Sequence, residues 1–456
     1  MRIPTLIWAL LAGLAAAPAV AQDDAIVVGA AEVDITPGYP IRLNGYGGRK
    51  TESEGVASRL KARALAIGEP AAVLLAVDNV GVPARVTEEV AGRLKSRAGL
   101  PRERFTVCSS HTHCGPCLSN GIPFIFGAPL PAGQQERVER YTRELTDALE
   151  KVALAALADR KPARLSWAQG TAVFAANRRV LKDGRWTGFG VNPKGPVDHS
   201  LPVLRAVGTD GKLRAVLVNY ACHCTTLGGD FNKICGDWAG YAAEDIERAH
   251  PGALALVVIG CGADANPEPR RNLDDAKAHG AALAREVERL LGGTMVPLPG
   301  RIATAYRTIE LPFATPPDRA QLTARTKRPG PEGFFARTML ERLDRGEALP
   351  RTLAYPVQTW WFGDALAMVF LGGEVVVDYA LRLKQECSAD RLWVVAYSND
   401  VPCYIASKRL IAEEGYEVDL SMIFYGQPTR LALEAEDRLV ETVHSLLPEA
   451  FKKPKR

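Results

Sequence analysis

Two histidines one residue apart carry the sharpest chemical signal in this chain: His111 and His113, in the run Ser109-Ser110-His111-Thr112-His113. On extended backbone, side chains at i and i+2 project to the same face, so the two imidazoles suit a shared metal ion or substrate. Cys114-Gly115-Pro116 follows and forces a turn, which leaves both rings at a strand end. His223 lies just past another apolar run, between Cys222 and Cys224. A histidine in such a place is more often a satisfied core residue than a ligand. Glu374 follows Phe370-Leu371-Gly372-Gly373 and precedes three valines. A carboxylate in that setting is costly unless a charge or a metal compensates it. Two imidazoles and a carboxylate, with a position left for water, meet the needs of catalytic zinc, which generates hydroxide at neutral pH and polarises a carbonyl. Asp264 either orients a ligand from behind or caps a turn in Asp264-Ala265-Asn266-Pro267.

The elements that would position these groups alternate between short β-branched runs and longer amphipathic ones. Strands are expected at 72–77, 105–108, 214–220, 253–259, 365–371 and 392–396, and helices at 87–98, 134–157, 238–250, 273–291 and 429–447. The Pro- and Gly-punctuated stretch 316–350 reads as a helical surface excursion, a lid in one reading. Each strand runs directly into polar residues: Asp78-Asn79, His111, His223, Asp264, Glu374 and Tyr397-Ser398-Asn399. If these strands share one sheet edge, their polar ends face a common crevice. The expected fold is therefore α/β, with mixed β-sheets flanked by helices.

Met1-Arg2, the apolar stretch Leu6 to Ala17 and Ala19-Val20-Ala21 have the layout of a cleaved secretory signal, expected over residues 1–21. Residues 22–456 then form one catalytic domain, secreted or periplasmic. Hydrophobic residues make up 47% and charged residues 24%, with a formal charge of +4. That charge is too small and too dispersed for a nucleic-acid partner, and the basic tail from Lys452 to Arg456 reads as a frayed terminus. Nine cysteines in an exported chain permit disulfides. Cys114, Cys117, Cys222, Cys224, Cys261 and Cys403 fall close to the proposed site, and one or two disulfides bracing its walls are favoured over thiolate ligation or a redox pair.

At this point the motifs resemble those of a known family. Residues 28–37 (VGAAEVDITP) and 43–48 (LNGYGG) are similar to the opening of neutral/alkaline non-lysosomal ceramidases. Ser110 to Pro116 resembles that family's His-Thr-His motif, Ala176-Asn177-Arg178 its Asn-Arg element, and Gly262 to Pro267 its Gly-Asp-x-x-Pro segment. Tyr397-Ser398-Asn399, Tyr404-Ile405 and Tyr416-Glu417 are similar to its Tyr-rich region.

The resemblance covers the family's catalytic domain, without its carboxy-terminal β-domain. It implies one Zn2+ per chain on His111, His223, Glu374 and Tyr404. It also implies that His113, Arg178 and Tyr416 handle the scissile amide of an N-acyl lipid, with peripheral contact to membrane lipid. Asn266 replaces the family's usual serine, and cysteines replace small residues around His113 and His223. Two further readings stand beside the amidase: a zinc hydrolase of the same fold acting on an ester, lactone or saccharide, and an exported binding protein without turnover.

Overall fold

A computed structural model describes residues 25–453. The leader expected over residues 1–21 and the end of the basic tail lie outside the described residues. Two mixed sheets face one another, and helices cover their outer faces. The larger sheet runs Leu254–Ile259, Leu213–Tyr220, Ser200–Gly208, Lys161–Thr171, Ala25–Asp34, Lys61–Ile67, Ala72–Val77 and Phe105–Ser109, with Val296–Pro297 added beside Lys161–Thr171. The smaller runs Ala303–Pro312, Thr352–Phe362, Leu366–Leu371 and Leu392–Val395.

Alternation along the central strands shows why the two sheets stack. Leu74 and Ala76 point into the layer between the sheets, whereas Val73, Leu75 and Val77 point outward beneath helices Ala84–Ala98 and Ala132–Ala158. Met368, Phe370, Trp393 and Val395 meet that inter-sheet layer from the other side. Strands buried on both faces read as continuous apolar runs, which is why Ala72–Val77 is apolar at every position. By contrast, Lys161–Thr171 mixes buried and exposed positions, Ala303–Pro312 is half-buried or exposed at all but one, and both carry charged residues, so no apolar run announces them.

The polar strand ends do converge, but from two sheets rather than one edge. Three parallel pairs do this work: Ala72–Val77 with Phe105–Ser109, Leu213–Tyr220 with Leu254–Ile259, and Leu366–Leu371 with Leu392–Val395. Residues 396–399 stitch the sheets together where these strands finish. Ala396 N donates to Ile259 O at 2.8 Å, Asn399 N to Val107 O at 2.7 Å, and Ser109 N to Tyr397 O at 3.1 Å. The excursion at 316–350 forms helices Arg319–Arg325 and Pro331–Asp344, whose Leu322, Phe335 and Met339 pack on Phe124. Among the described residues no helix is long and apolar enough to cross a membrane.

The disulfides expected around the site are not formed: all nine cysteines are free and buried. The physical reason is packing. Cys114 and Cys117 diverge at their turn into different apolar clusters. Cys222 and Cys224 flank His223 and join the core around Trp238. Burial pushes the Cys108 and Cys117 thiols up to about 12 and that of Cys235 up to about 11, so they stay protonated. Thiol titration of the denatured chain without reductant is expected to count nine groups, and reductant to leave the melting temperature unchanged. A count of seven or fewer would restore the disulfides.

Candidate metal centre

The strand Phe105–Ser109 delivers His111 with a left-handed backbone, φ 57°. That conformation is costly for a non-glycine residue and clusters at functional sites. Here it lays the imidazole over Tyr397, with ring centroids 4.3 Å apart, and places Nδ1 2.6 Å from Val80 O. A carbonyl only accepts, so the proton sits on Nδ1 and the Nε2 lone pair points inward. His223 is built the same way: Nδ1 donates to Gly262 O at 2.9 Å, and burial with the Arg178 charge pushes the ring down to about 3, leaving it neutral.

Glu374 follows strand Leu366–Leu371 of the second sheet. Its backbone pairs with Tyr404 in a short parallel bridge, after Gly373 at φ 79°. A Cβ on Gly373 would lie 2.7 Å from Cys403 O, so glycine is required on both counts. One carboxylate oxygen, Oε2, stands 3.0 Å from His223 Nε2 and 3.2 Å from His111 Nε2. The other accepts a hydrogen bond from the Tyr425 hydroxyl. Tyr404 completes the group, its hydroxyl 3.3 Å from His223 Nε2. The structure thus brings together all four side chains expected to ligate.

These groups fit a cation. Two lone pairs and a carboxylate oxygen meet in a water-poor site, and their spacing matches the roughly 3.3 Å between donors of a tetrahedral ion bound at about 2.0 Å. Burial alone would push Glu374 up; the His111 and His223 rings against it instead hold it well below the carboxylate range, so the carboxylate is ionised.

His113 adds a third imidazole, and the ring nitrogens of His111, His113 and His223 lie within 4.8 Å of one another. A second ligand set, of three histidines, is therefore available. The two sets differ in how the rings are held. His113 Nε2 is 3.1 Å from His111 Nε2, but its buried Nδ1 has no partner and no carbonyl fixes its tautomer. Its ring rests on Gly45, where a Cβ would sit 2.4 Å away, and Tyr46 abuts it edge-on at 4.9 Å. Burial and the neighbouring imidazoles hold His113 well below its usual value, so it is neutral.

A family profile described as "Neutral/alkaline non-lysosomal ceramidase, N-terminal" matches residues 26–258. The chain belongs to this family. It is similar to neutral ceramidase 3 of Arabidopsis thaliana, 34% identical over 101 residues, which is 21% of this chain and 14% of that protein. Its fold is similar to that of a ceramidase solved in complex with C2, with TM-score 0.70 at 18% identity, covering 92% of this chain and 74% of the other. It is also similar to the neutral ceramidase from Pseudomonas aeruginosa, with TM-score 0.71 at 17% identity, covering 95% and 77%. The matched family segment contains His111, His113, Arg178 and His223; Glu374, Tyr404 and Tyr416 lie beyond it and join them only in the fold.

In this ceramidase-family chain Arg178 is already engaged with the protein. Its NH2 donates to Tyr404 OH at 3.0 Å, its Nε to Glu417 Oε1 at 2.9 Å and its NH1 to Asn266 Oδ1 at 3.4 Å. Asn266, the departure from the family pattern, therefore supports Arg178. Tyr416 meets Tyr404 edge-on at 5.6 Å, and burial pushes its phenol up, so it keeps its proton. Asp264 touches no ligand. Oδ1 accepts from Val377 N at 2.9 Å at the start of helix Val377–Glu386, and its carbonyl accepts from Arg178 N at 2.8 Å. Asp264 therefore neither orients a ligand nor caps the turn at 264–267; it ties that turn to a distant helix and, through Oδ2, to Asn177.

Sequence reading missed Tyr425, which has no motif around it, and Glu417, which its place beside Tyr416 could have flagged. Glu417 is fully buried and also accepts from Arg179 NH1. Removing its charge leaves the buried Arg178 with no carboxylate and Arg179 with Glu413 alone, so Glu417→Gln is expected to lower unfolding free energy by about 3–5 kcal/mol in denaturant titration. Glu414→Gln, which breaks the exposed pair with Arg185, is expected to cost no more than about 1 kcal/mol. Equal effects would contradict the assigned role of Glu417.

Proposed function

We propose that this chain is an exported, zinc-dependent amidohydrolase that cleaves the N-acyl amide bond of ceramide or a ceramide-like lipid. One observation carries the reading: His111 and His223, each with Nδ1 on a carbonyl, aim their Nε2 atoms at one oxygen of an ionised, buried Glu374. Family membership supports the substrate class. Zinc bound by His111, His223, Glu374 and Tyr404 would supply Lewis acidity, lowering the pKa of water and polarising an acyl carbonyl.

The chain's own residues do the rest. Val80 O and Gly262 O lock the two imidazoles in the ligating tautomer, and the Tyr425 hydroxyl fixes the carboxylate plane of Glu374. Arg178 holds the Tyr404 hydroxyl in register, itself held by Glu417. Tyr416 keeps its phenolic proton and can donate it to the oxygen that gains charge as the carbonyl is attacked. His113, neutral and with an uncommitted Nδ1, can take a proton from water at one nitrogen and return one to the leaving amine. Glu374 shares this proton traffic through its ionised carboxylate.

Purified protein is expected to carry about one equivalent of zinc and to lose turnover on chelation. His111→Ala and Glu374→Ala, each folded by circular dichroism, should lower kcat/KM on an N-acyl amide at least about a thousandfold, or about 4 kcal/mol. A folded ligand variant with full turnover would end the proposal. An ester probe of the same acyl chain, turned over while the amide is not, would move it to the esterase reading.

A further inference from the structure

A row of rings leads from the candidate metal centre to the surface. His223 faces Tyr404 at 6.4 Å, Tyr404 meets Tyr416 at 5.6 Å, and Tyr416 meets Phe189 at 4.9 Å. Exposure rises along the row, from nothing at His223 and 3% at Tyr404 to 53% at Phe189.

Phe189 ends a hairpin formed by Arg179–Lys182 and Arg185–Phe189, which starts directly after Arg178. Asp183 and Gly184, at φ 51° and 74°, make its two-residue turn, a geometry that favours a tight, well-defined register. Trp186 docks the hairpin. Its ring covers Gly415, where a Cβ would lie 2.5 Å from it, immediately before Tyr416. Docking therefore does not need Phe189, which stands edge-on to Trp186 at 5.7 Å with the Arg178 guanidinium 5.0 Å from its ring. An exposed ring that meets Tyr416 and the Arg178 guanidinium, and that the docking of the hairpin does not use, offers an apolar face beside the buried polar site.

We infer that Phe189 determines substrate specificity, forming with Tyr416 the apolar wall along which the alkyl chain of the substrate lies. The inference rests on the N-acyl reading above, and it names the element that recognises chain length.

Binding separates the two. Alkyl ketones of short and long chain mimic the acyl group without a C–N bond to cleave, and their affinities for the full-length, metal-loaded protein can be measured by calorimetry. The wild type is expected to prefer the long ketone. Phe189→Ala should reduce that preference about tenfold with the short-ketone affinity unchanged, and Phe189→Leu should keep most of it. Zinc content should be the same in all three proteins. A preference that survives Phe189→Ala, or a wild type that binds both ketones equally, would overturn the inference. Failure of the wild type to hydrolyse N-acyl amides would count against the proposed reaction instead, and would leave the ketone result standing.

Discussion

A buried carboxylate pressed against two imidazole lone pairs is the constraint around which this molecule is arranged. Glu374, 3% exposed, stays ionised only with positive charge close by, on a ring of the two histidines or on a bound cation. The nearest permanent cation, Arg178, is spent on Tyr404, Glu417 and Asn266. The centre is therefore electron-rich by construction, and the protein fixes each donor before any ion arrives. Carbonyls hold two tautomers, a phenol holds the carboxylate, and an arginine holds the second phenol.

That pre-organisation costs backbone strain, and the fold supplies the compensation. His111, Tyr397 and Asn399 all have positive φ, at 57°, 51° and 66°, each costing on the order of 1–3 kcal/mol in isolation. All three sit where the sheets are stitched together. Tyr397 N donates to Gly373 O at 3.0 Å, and the Asn399 side chain donates to Gln358 Oε1 at 2.8 Å and accepts from Val107 N at 3.3 Å. These bonds join strands from both sheets, so the strained residues are held by the same contacts that bring Glu374 to the histidines.

Much of this was legible in the chain because both-face burial writes strands as apolar runs and helices as amphipathic ones. Strand Ala72–Val77 and helix Leu273–Leu291 lie where the pattern places them. The half-exposed strands left no such mark, and nothing in the pattern separates one sheet edge from two facing sheets. Residue types alone singled out His111, His113, His223 and Glu374. Tyr404, Arg178 and Tyr416 came only through family likeness, since a tyrosine or arginine near an apolar run has many ordinary uses. The cysteines misled because their spacing suggested pairing, whereas they pack as small apolar side chains, Cys114 and Cys117 in different clusters and Cys222 and Cys224 in the core around Trp238.

The most direct test is the zinc K-edge absorption spectrum of the zinc-loaded, full-length protein. A four-donor site of two imidazoles, a carboxylate and a phenol predicts only nitrogen and oxygen neighbours at about 2.0–2.2 Å, with the multiple-scattering signature of two rings. A shell of sulfur at about 2.3 Å, or the ring signature unchanged when His223 is replaced by alanine, would contradict it.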